Sequence, residues 1–268
     1  MADLRVRPYW ALFRGHARGQ LSYRVSFAVD LATNVSATAL DVFTVLVLFG
    51  VTQSLGGFDV REALVINTLA ACGFALADLA VGNVEKIKVY VRTGLFDTVL
   101  VRPLGALRQL LLMDLPVRKL SRGLFSVTVY AVALRLAPVD WTPARAGLAV
   151  AAPLGAVAFF AAVFVCTASV AFWWTDSGEV GNAFTYGGRD FTSYPVNVYS
   201  GWFRSLFAFG LGFAFVAYYP ALVLLSRSDP LGLPSWVGWL APLVCLPAAA
   251  VAGLIWRAGV RRYGSTGS

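Results

Sequence analysis

Long apolar runs separated by short charged stretches are the feature that most constrains this chain. Only 13% of its 268 residues are charged, 58% are hydrophobic, and the mean hydropathy is +0.70. Soluble domains are about 25% charged, and a helix needs about 20 apolar residues to cross a bilayer. The sequence therefore predicts an all-α integral membrane protein, built as a single transmembrane domain over residues 1–268.

Six runs have the length of membrane spans. Their approximate bounds are Phe27–Phe49, Ala63–Val81, Leu120–Leu136, Ala146–Trp174, Trp202–Leu225 and Val237–Trp256. If the N-terminus lies inside, most of the 22 basic residues fall in cytoplasmic segments, as Lys and Arg do in membrane proteins. We therefore predict six transmembrane helices with both termini in the cytoplasm.

The N-terminal segment, residues 1–25, combines an apolar stripe with regularly spaced arginines. On a helix, Arg7, Arg14 and Arg18 line up along the edge of a stripe that contains Tyr9 and Trp10. This pattern is typical of a helix that lies in the membrane interface with its Arg side chains reaching the headgroups. The alternative is a plain basic tail that only sets the orientation of the first span.

The densest charged interruption, residues 83–118, follows the second run. Gly94 lies in its first half and Pro103 in its second half, and both residue types favour turns. The charged side chains of its first part are Glu85, Lys86, Lys88, Arg92, Asp97 and Arg102. We interpret the stretch as a cytoplasmic loop that contacts a soluble partner, and we interpret residues 175–201 as a second, shorter cytoplasmic loop.

Three polar residues share one face of the first predicted span. Asp30, Asn34 and Asp41 are four and seven residues apart, a spacing that places them on one side of a helix. A carboxylate at membrane depth is costly and normally faces protein or water. The face therefore predicts a translocation path or a subunit interface; alternatively, a neighbouring helix satisfies Asp41, or Asp41 reaches the outer headgroups.

The sequence lacks the residues that several kinds of chemistry require. The cysteines Cys72, Cys166 and Cys245 lie in three different apolar runs, and His16 is the only histidine. A disulfide framework, a zinc site and a His-based triad are therefore not expected. No phosphate-binding GxxxxGK[ST] motif occurs, so the chain is not expected to bind ATP itself. We assign the net charge of +8 to membrane topology and not to nucleic acid.

Two stretches resemble one family of transporters. They are Gly94-Leu95-Phe96-Asp97 with Leu100 and Arg102-Pro103-Leu104, and Tyr194-Pro195 with Val198-Tyr199 and Tyr219-Pro220-Ala221. Together with the predicted topology, they resemble an ABC transporter permease of the type-2, exporter-like class. The resemblance is to a bacterial six-span branch long catalogued as a domain of unknown function, and it covers nearly the whole chain.

The resemblance implies a partner ATPase and a division of roles around the loop after span two. Two ATPase copies would hold ATP and Mg, and a second permease subunit, identical or sister, would complete the path through the lipids of the bacterial cytoplasmic membrane. Exporters of this class also place short outer helices between spans five and six, where this chain has only Ser226–Ser235 by our span assignment. The expected coupling residues are Glu85, Lys86, Lys88 and Arg92 for polar docking, Gly94 and Asp97 for the turn, Leu95 and Phe96 for an apolar groove of the ATPase, and Arg102 and Pro103 for the return.

The expected function is ATP-powered export of a hydrophobic or amphipathic substrate, with no catalytic residue in this chain. One alternative is an integral membrane transferase for a lipid-linked substrate, because Asp78, Glu85 and Arg92 recur at seven-residue spacing. Another is an ion-coupled secondary transporter that uses the face of Asp30, Asn34 and Asp41. No internal repeat is evident, which weakens the second alternative.

Overall fold

The computed structural model describes residues 24–52, 54–102, 105–112, 117–174 and 177–264. The predicted interfacial helix falls almost entirely outside these residues, as does Pro103. Within the described part the chain is helical and forms no strand. The α-helices are α1 (Arg24–Val51), α2 (Val60–Val81), α3 (Ile87–Arg92), α4 (Phe96–Leu100), α5 (Ala106–Leu112), α6 (Val117–Leu136), α7 (Pro143–Ser169), α8 (Gly178–Thr192), α9 (Gly201–Arg204), α10 (Tyr218–Leu224), α11 (Trp236–Leu240) and α12 (Cys245–Arg262).

Three continuous helical stretches are long and apolar enough to cross a membrane. They are Val60–Arg92, Pro143–Phe172 and Trp236–Arg262, and they cover the second, fourth and sixth predicted runs. A fourth candidate, Gly201–Gly210 with Phe213–Leu224, is sharply bent between its two parts. Helices α1 and α6 cover the first and third predicted runs.

Two of the long helices, α2 and α7, begin with side-chain caps. The N–H of Glu62 donates to Asp59 Oδ1 at 2.8 Å, and the N–H of Asp59 donates to Glu62 Oε2 at 2.9 Å, which is a capping box at the start of α2. At α7, Thr142 Oγ1 accepts from the N–H of Arg145 at 3.3 Å, and Pro143 occupies the first turn. Local sequence thus fixes where both helices start.

Helices α2 and α7 cross closely at the centre of the fold. A Cβ added to Gly73 would lie 2.3 Å from the Cβ of Ala156. Next to this contact, Phe74 packs against Phe160 and Phe164 with ring centroids 5.3 and 5.4 Å apart. Small residues permit such close approach between membrane helices, and the surrounding aromatic rings fill the space that they leave.

We expect Gly73→Ala to destabilise the protein by about 1–3 kcal/mol, because it forces a methyl group into a filled contact. The matched double variant, Gly73→Ala with Ala156→Gly, moves the methyl group to the other helix and should recover most of that loss. Apparent melting temperatures of the purified protein in detergent measure both effects. A single variant as stable as the wild type would contradict the close crossing.

One end of the helical bundle, which we name the Gly56 end, gathers segments from across the chain. Asn197 Nδ2 donates to the carbonyl of Gly56 at 2.6 Å. Arg227 Nη1 donates to the carbonyl of Gly57 at 2.6 Å and to Glu62 Oε2 at 2.9 Å. The turn between α1 and α2 therefore lies beside residues that follow α8 and residues that follow α10.

At the opposite end, which we name the Phe96 end, the ends of several other helices meet. Phe96 contacts Phe172, just after α7, and Tyr263, just after α12, with ring centroids 5.3 and 5.0 Å apart. Lys119, near the start of α6, pairs with Asp78, near the end of α2, at 2.5 Å. The ends of α2, α7 and α12 and the start of α6 therefore meet there.

Helix α8 runs between these two ends, which corrects the interpretation of residues 175–201 as a loop. At its start, a Cβ added to Gly178 would lie 3.0 Å from Lys88 Nζ, at the Phe96 end. Midway, Thr185 and Thr167 share a hydrogen bond of 3.0 Å. Soon after its last residue, Asn197 reaches Gly56. The helix thus extends along α2 and α7 over the length of the bundle.

The predicted fifth span, Trp202–Leu225, is also corrected, because it forms a broken hairpin. Its first limb follows α8 back from the Gly56 end, with Phe207 packed on Phe191 at 5.7 Å. Gly212 turns the chain with a φ of +83°, and its Cβ position lies 3.0 Å from Val244. The second limb leads to Arg227, which is again at the Gly56 end. We name residues 201–224 the hairpin.

Candidate functional site

The turn between α3 and α4 depends on Gly94. Its φ of +72° is in the left-handed region, which glycine adopts without steric cost. The N–H of Asp97 donates to the carbonyl of Gly94 at 3.1 Å, and the N–H of Thr98 donates to that of Leu95 at 3.2 Å. The structure therefore provides a short helix after a glycine turn, at the position expected for a coupling helix.

Phe96 lies inside the chain's own core and not on its surface. Its side chain is fully buried, as is that of Val99 one turn later. The carbonyl of Val99 accepts a hydrogen bond of 2.9 Å from Gln109 Nε2 on α5. This differs from the expectation that Phe96 fills a groove of a partner, because its ring is already enclosed by Phe172 and Tyr263.

Three apolar side chains on α4 and directly beside it are exposed. Leu95 is 48% exposed, Leu100 43% and Val101 86%. Arg92 and Arg102 are exposed on either side of this helix. We name Leu95, Leu100 and Val101 the α4 patch. Apolar side chains at the polar end of a membrane bundle are typical of a protein contact.

Asp97 lies near the C-terminal end of α12, where Tyr263 packs on Phe96. Burial raises the pKa of Tyr263, and the neighbouring Asp97 carboxylate raises it further, because both disfavour the phenolate. Tyr263 is therefore neutral at physiological pH. This part of the turn is held in place by the contact between the rings of Tyr263 and Phe96.

A buried ion cluster lies where α2 leads into the charged stretch. Asp78 is 6% exposed and pairs with Lys119 at 2.5 Å and Arg122 at 3.9 Å. A Cβ added to Gly82 would lie 2.1 Å from Asp78 Oδ1, so the chain passes directly beside this pair. The cluster ties the root of the charged stretch to α6.

Glu85 and Lys88 face α8 across a small cavity. Both line it together with Ser177, Gly178 and Asn182. Lys86 is exposed nearby. The residues expected to form one polar docking surface are therefore divided: Lys86 and Arg92 are on the outside, and Glu85 and Lys88 lie against α8.

Asp41 pairs with Arg189, which links α1 to α8. The two side chains are 30% and 15% exposed, and Arg189 also contacts Asp190 at 3.2 Å. The Arg189 guanidinium carbon lies 5.9 Å from the centroid of the Phe74 ring, within reach of a cation–π interaction. A neighbouring helix thus satisfies Asp41, as the alternative interpretation held. Asp30 and Asn34 lie on the same helix, but their side chains are outside the described part.

Helix α8 also presents a polar stripe away from the bundle. Glu179, Ala183, Tyr186 and Asp190 are exposed, and their spacing of four, three and four residues puts them on one face. Gly187 lies beside them and is exposed too. We name these five residues the α8 stripe. The opposite face, with Thr185, is buried against α7.

Arg189 and the α8 stripe are the features that the sequence interpretation missed. Arg189 lies within residues 175–201, which the sequence indicates as a cytoplasmic loop because they are too polar for a span. The useful signal is the helical spacing of the α8 stripe, with Thr185, Gly188 and Phe191 on the other face. A search for amphipathic periodicity would have found this helix where a search for apolar length did not.

The described residues contain no group of three or more His, Cys, Asp or Glu side chains placed to hold a metal ion. Asp78, proposed for the transferase alternative, is occupied by two cations. The arrangement instead offers an anchored surface helix at one end and a polar stripe along the bundle.

Comparison with known proteins gives one match. A family model described as "ABC-2 family transporter protein" matches residues 35–267. No curated protein and no solved structure matches the chain significantly. The matched range includes α4, α8 and nearly all the described residues.

Proposed function

This chain belongs to the ABC-2 transporter family, and we propose that it is an export permease driven by an ATPase that docks on the α4 patch. Membership makes it the membrane subunit of an ABC transporter, which works with an ATPase partner. The place of docking is our proposal, and the anchored helix α4 is the observation that carries it. The proposed direction of transport rests on the resemblance to permeases of the exporter-like class.

The α4 patch suits this role because α4 is fixed on one face and open on the other. Phe96 holds it against the ends of α7 and α12, and Gln109 holds it to α5. A displacement of the exposed side by a partner would therefore reach the long helices without being lost in a flexible loop. ATP and Mg would be bound by two ATPase copies, and this chain would contribute no catalytic residue.

Charge supports a cytoplasmic location for the Phe96 end. Basic residues concentrate there, among them Lys88, Arg92, Lys119 and Arg122, in agreement with the distribution expected of cytoplasmic segments. With the Gly56 end outside, α1, α2, α6, α7, α8 and the α11–α12 pair would make six crossings. Both termini would lie in the cytoplasm, and the hairpin would enter from the outer side of a bacterial cytoplasmic membrane.

The α8 stripe is our proposed lining of the translocation path. Polar side chains such as Glu179 and Asp190 are costly against acyl chains, so this face requires another protein surface or water. A second permease subunit, identical or sister, placed opposite the stripe would enclose a path between the two. The mixture of Tyr186, Gly187 and charged groups suits an amphipathic substrate, and the Asp41–Arg189 pair would support the path from behind.

The two alternatives make different demands on the same protein. A transferase would turn over a lipid-linked substrate without an ATPase, and an ion-coupled transporter would work on an ion gradient alone. Our proposal requires that ATP hydrolysis by the partner drive transport. Vesicles that contain the permease with and without its partner ATPase separate these cases directly.

We expect Gly187→Trp to abolish ATP-driven transport while ATPase binding is retained. The Cβ of this residue would meet nothing within 4 Å, so the indole can extend from the α8 stripe into the path without disturbing the fold. Gly147→Trp on α7 is the matched control, because that glycine is also exposed and its Cβ position is also open.

The measurements are transport of a panel of amphipathic compounds into inverted vesicles and co-purification of the ATPase. Equal transport by the two tryptophan variants would exclude the α8 stripe from the path. Transport by the wild-type permease in vesicles without ATPase or ATP would exclude the ABC mechanism itself.

A further inference from the structure

A large apolar cavity lies beneath the tip of the hairpin. Its volume is about 470 Å³, and its walls come from α7, α8, the hairpin tip and α12. Phe159, Phe184 and Phe213 provide aromatic walls, and Ala248 and Val251 form the side on α12. The cavity is thus bounded by the hairpin, which enters the bundle and turns back.

Water is a poor occupant for this cavity. Its lining contains no charged side chain, and the thiol of Cys166 is its only side-chain heteroatom. A buried water needs two to four polar partners, whereas apolar cavities stay dry or take up apolar ligands. An empty space of this size would cost packing energy along the hairpin, α7 and α12.

The cavity lies beside the outward surface of α12. Only 17% of the most apolar stretch of Trp236–Arg262 is buried, and Val251 and Leu254 are 50% and 64% exposed. This surface is the one suited to contact with acyl chains, because it is long and apolar. Val251 belongs to both the cavity wall and the exposed surface.

We propose that the cavity between the hairpin tip, α7 and α12 binds an acyl chain of a membrane lipid. The chain enters beside Val251 and lies against Phe159 and Phe213. The acyl chain contacts Phe213, next to the glycine turn at Gly212, so the hairpin tip contacts lipid on this side. The hairpin is then held by protein contacts at the Gly56 end and by a lipid at its tip.

The test uses the full-length permease with its ATPase in nanodiscs that contain a phosphatidylglycerol with a photoreactive diazirine near the end of one acyl chain. After illumination, mass spectrometry locates the cross-linked peptides. We expect them to concentrate on α12 around Val251 and on α7 around Cys166. The same peptides should be labelled when the ATPase is left out, because the cavity belongs to this chain alone.

Two tryptophan variants make the test specific. Ala248→Trp fills the cavity and should reduce labelling of these peptides at least about fivefold, because a filled core site does not admit another group. Ala249→Trp is the matched control, since Ala249 is exposed on the next position of α12. Gel filtration of each variant establishes that it is folded before labelling is compared.

Two results would overturn the proposal. One is labelling spread evenly over the lipid-facing helices and unchanged in the Ala248→Trp variant. The other is a cross-link between two permease copies through Val251→Cys, with the lipid probe excluded, because a second chain would then cover the cavity. Either result would leave the proposed docking on α4 untouched.

Discussion

Replacement of Arg189 by Met is expected to destabilise the protein by about 3–5 kcal/mol, because it leaves a charged partner without its counter-ion at membrane depth. Asp41 would lose the guanidinium that it contacts, and α8 would lose its link to α1. Because the Asp41 side chain is 30% exposed, we expect a value near the lower end of this range. The apparent melting temperature in detergent measures the loss.

The double variant, Asp41→Leu with Arg189→Met, tests whether the lost stability comes from the unpaired charge of Asp41. Replacing both partners of a buried ion pair by apolar groups is often neutral, so most of the lost stability should return. Glu179→Gln is the matched control for acidic residues, because Glu179 is exposed at the start of α8, ten residues before Arg189. It should leave the melting temperature unchanged.

The same variants separate a structural role of the ion pair from a transport role. If the double variant is stable and still transports, the pair only positions α8. If it is stable but inactive, the charges themselves take part in transport. Equal stability of Arg189→Met and the wild type would show that the two charges do not interact across α1 and α8.

The sequence predicted the long apolar helices well because burial and lipid contact both select apolar residues. The stretches Val60–Arg92 and Pro143–Phe172 need no tertiary information to be found. The glycine turn was also predictable, since Gly94 interrupts a charged helix and has the positive φ that such an interruption indicates. These features are encoded locally.

The sequence interpretation placed the fifth span in the hairpin and a loop at helix α8, and both assignments have one physical reason. Hydropathy measures apolar content, but a helix can extend through the bundle if its polar groups are satisfied within the protein. Arg189 pairs with Asp41, and Thr185 pairs with Thr167. Conversely, the apolar hairpin turns back at Gly212 and is held by Arg227, and neither contact is visible in composition.

Leu95 and Phe96 show the limit of pattern analysis within one short helix. Both are apolar, both follow the glycine turn, and the sequence suggests the same role for each. The direction in which α4 faces depends on Phe172 and Tyr263, which are far away in the chain. One residue therefore belongs to the core and its neighbour to the surface.

This difference predicts opposite defects for two adjacent substitutions. Phe96→Ala should destabilise the permease by about 3–5 kcal/mol, because it opens a cavity among buried rings. Leu95→Ser should change stability by less than about 0.5 kcal/mol, as surface substitutions do, but weaken ATPase binding about tenfold, which corresponds to about 1.4 kcal/mol. Melting temperature and the dissociation constant for the partner ATPase measure the two effects.

Leu136→Ser provides the matched control, because Leu136 is 56% exposed. It is the last residue of α6, at the end of the bundle opposite to α4. This variant should preserve both stability and ATPase binding. If Leu95→Ser binds the ATPase as tightly as this control, the α4 patch is not the dock, and another surface of the Phe96 end must receive the partner.

If Phe96→Ala is stable but loses the ATPase, α4 must release Phe96 when the partner binds. Coupling would then work by exchanging the ring between two grooves instead of moving a rigid helix.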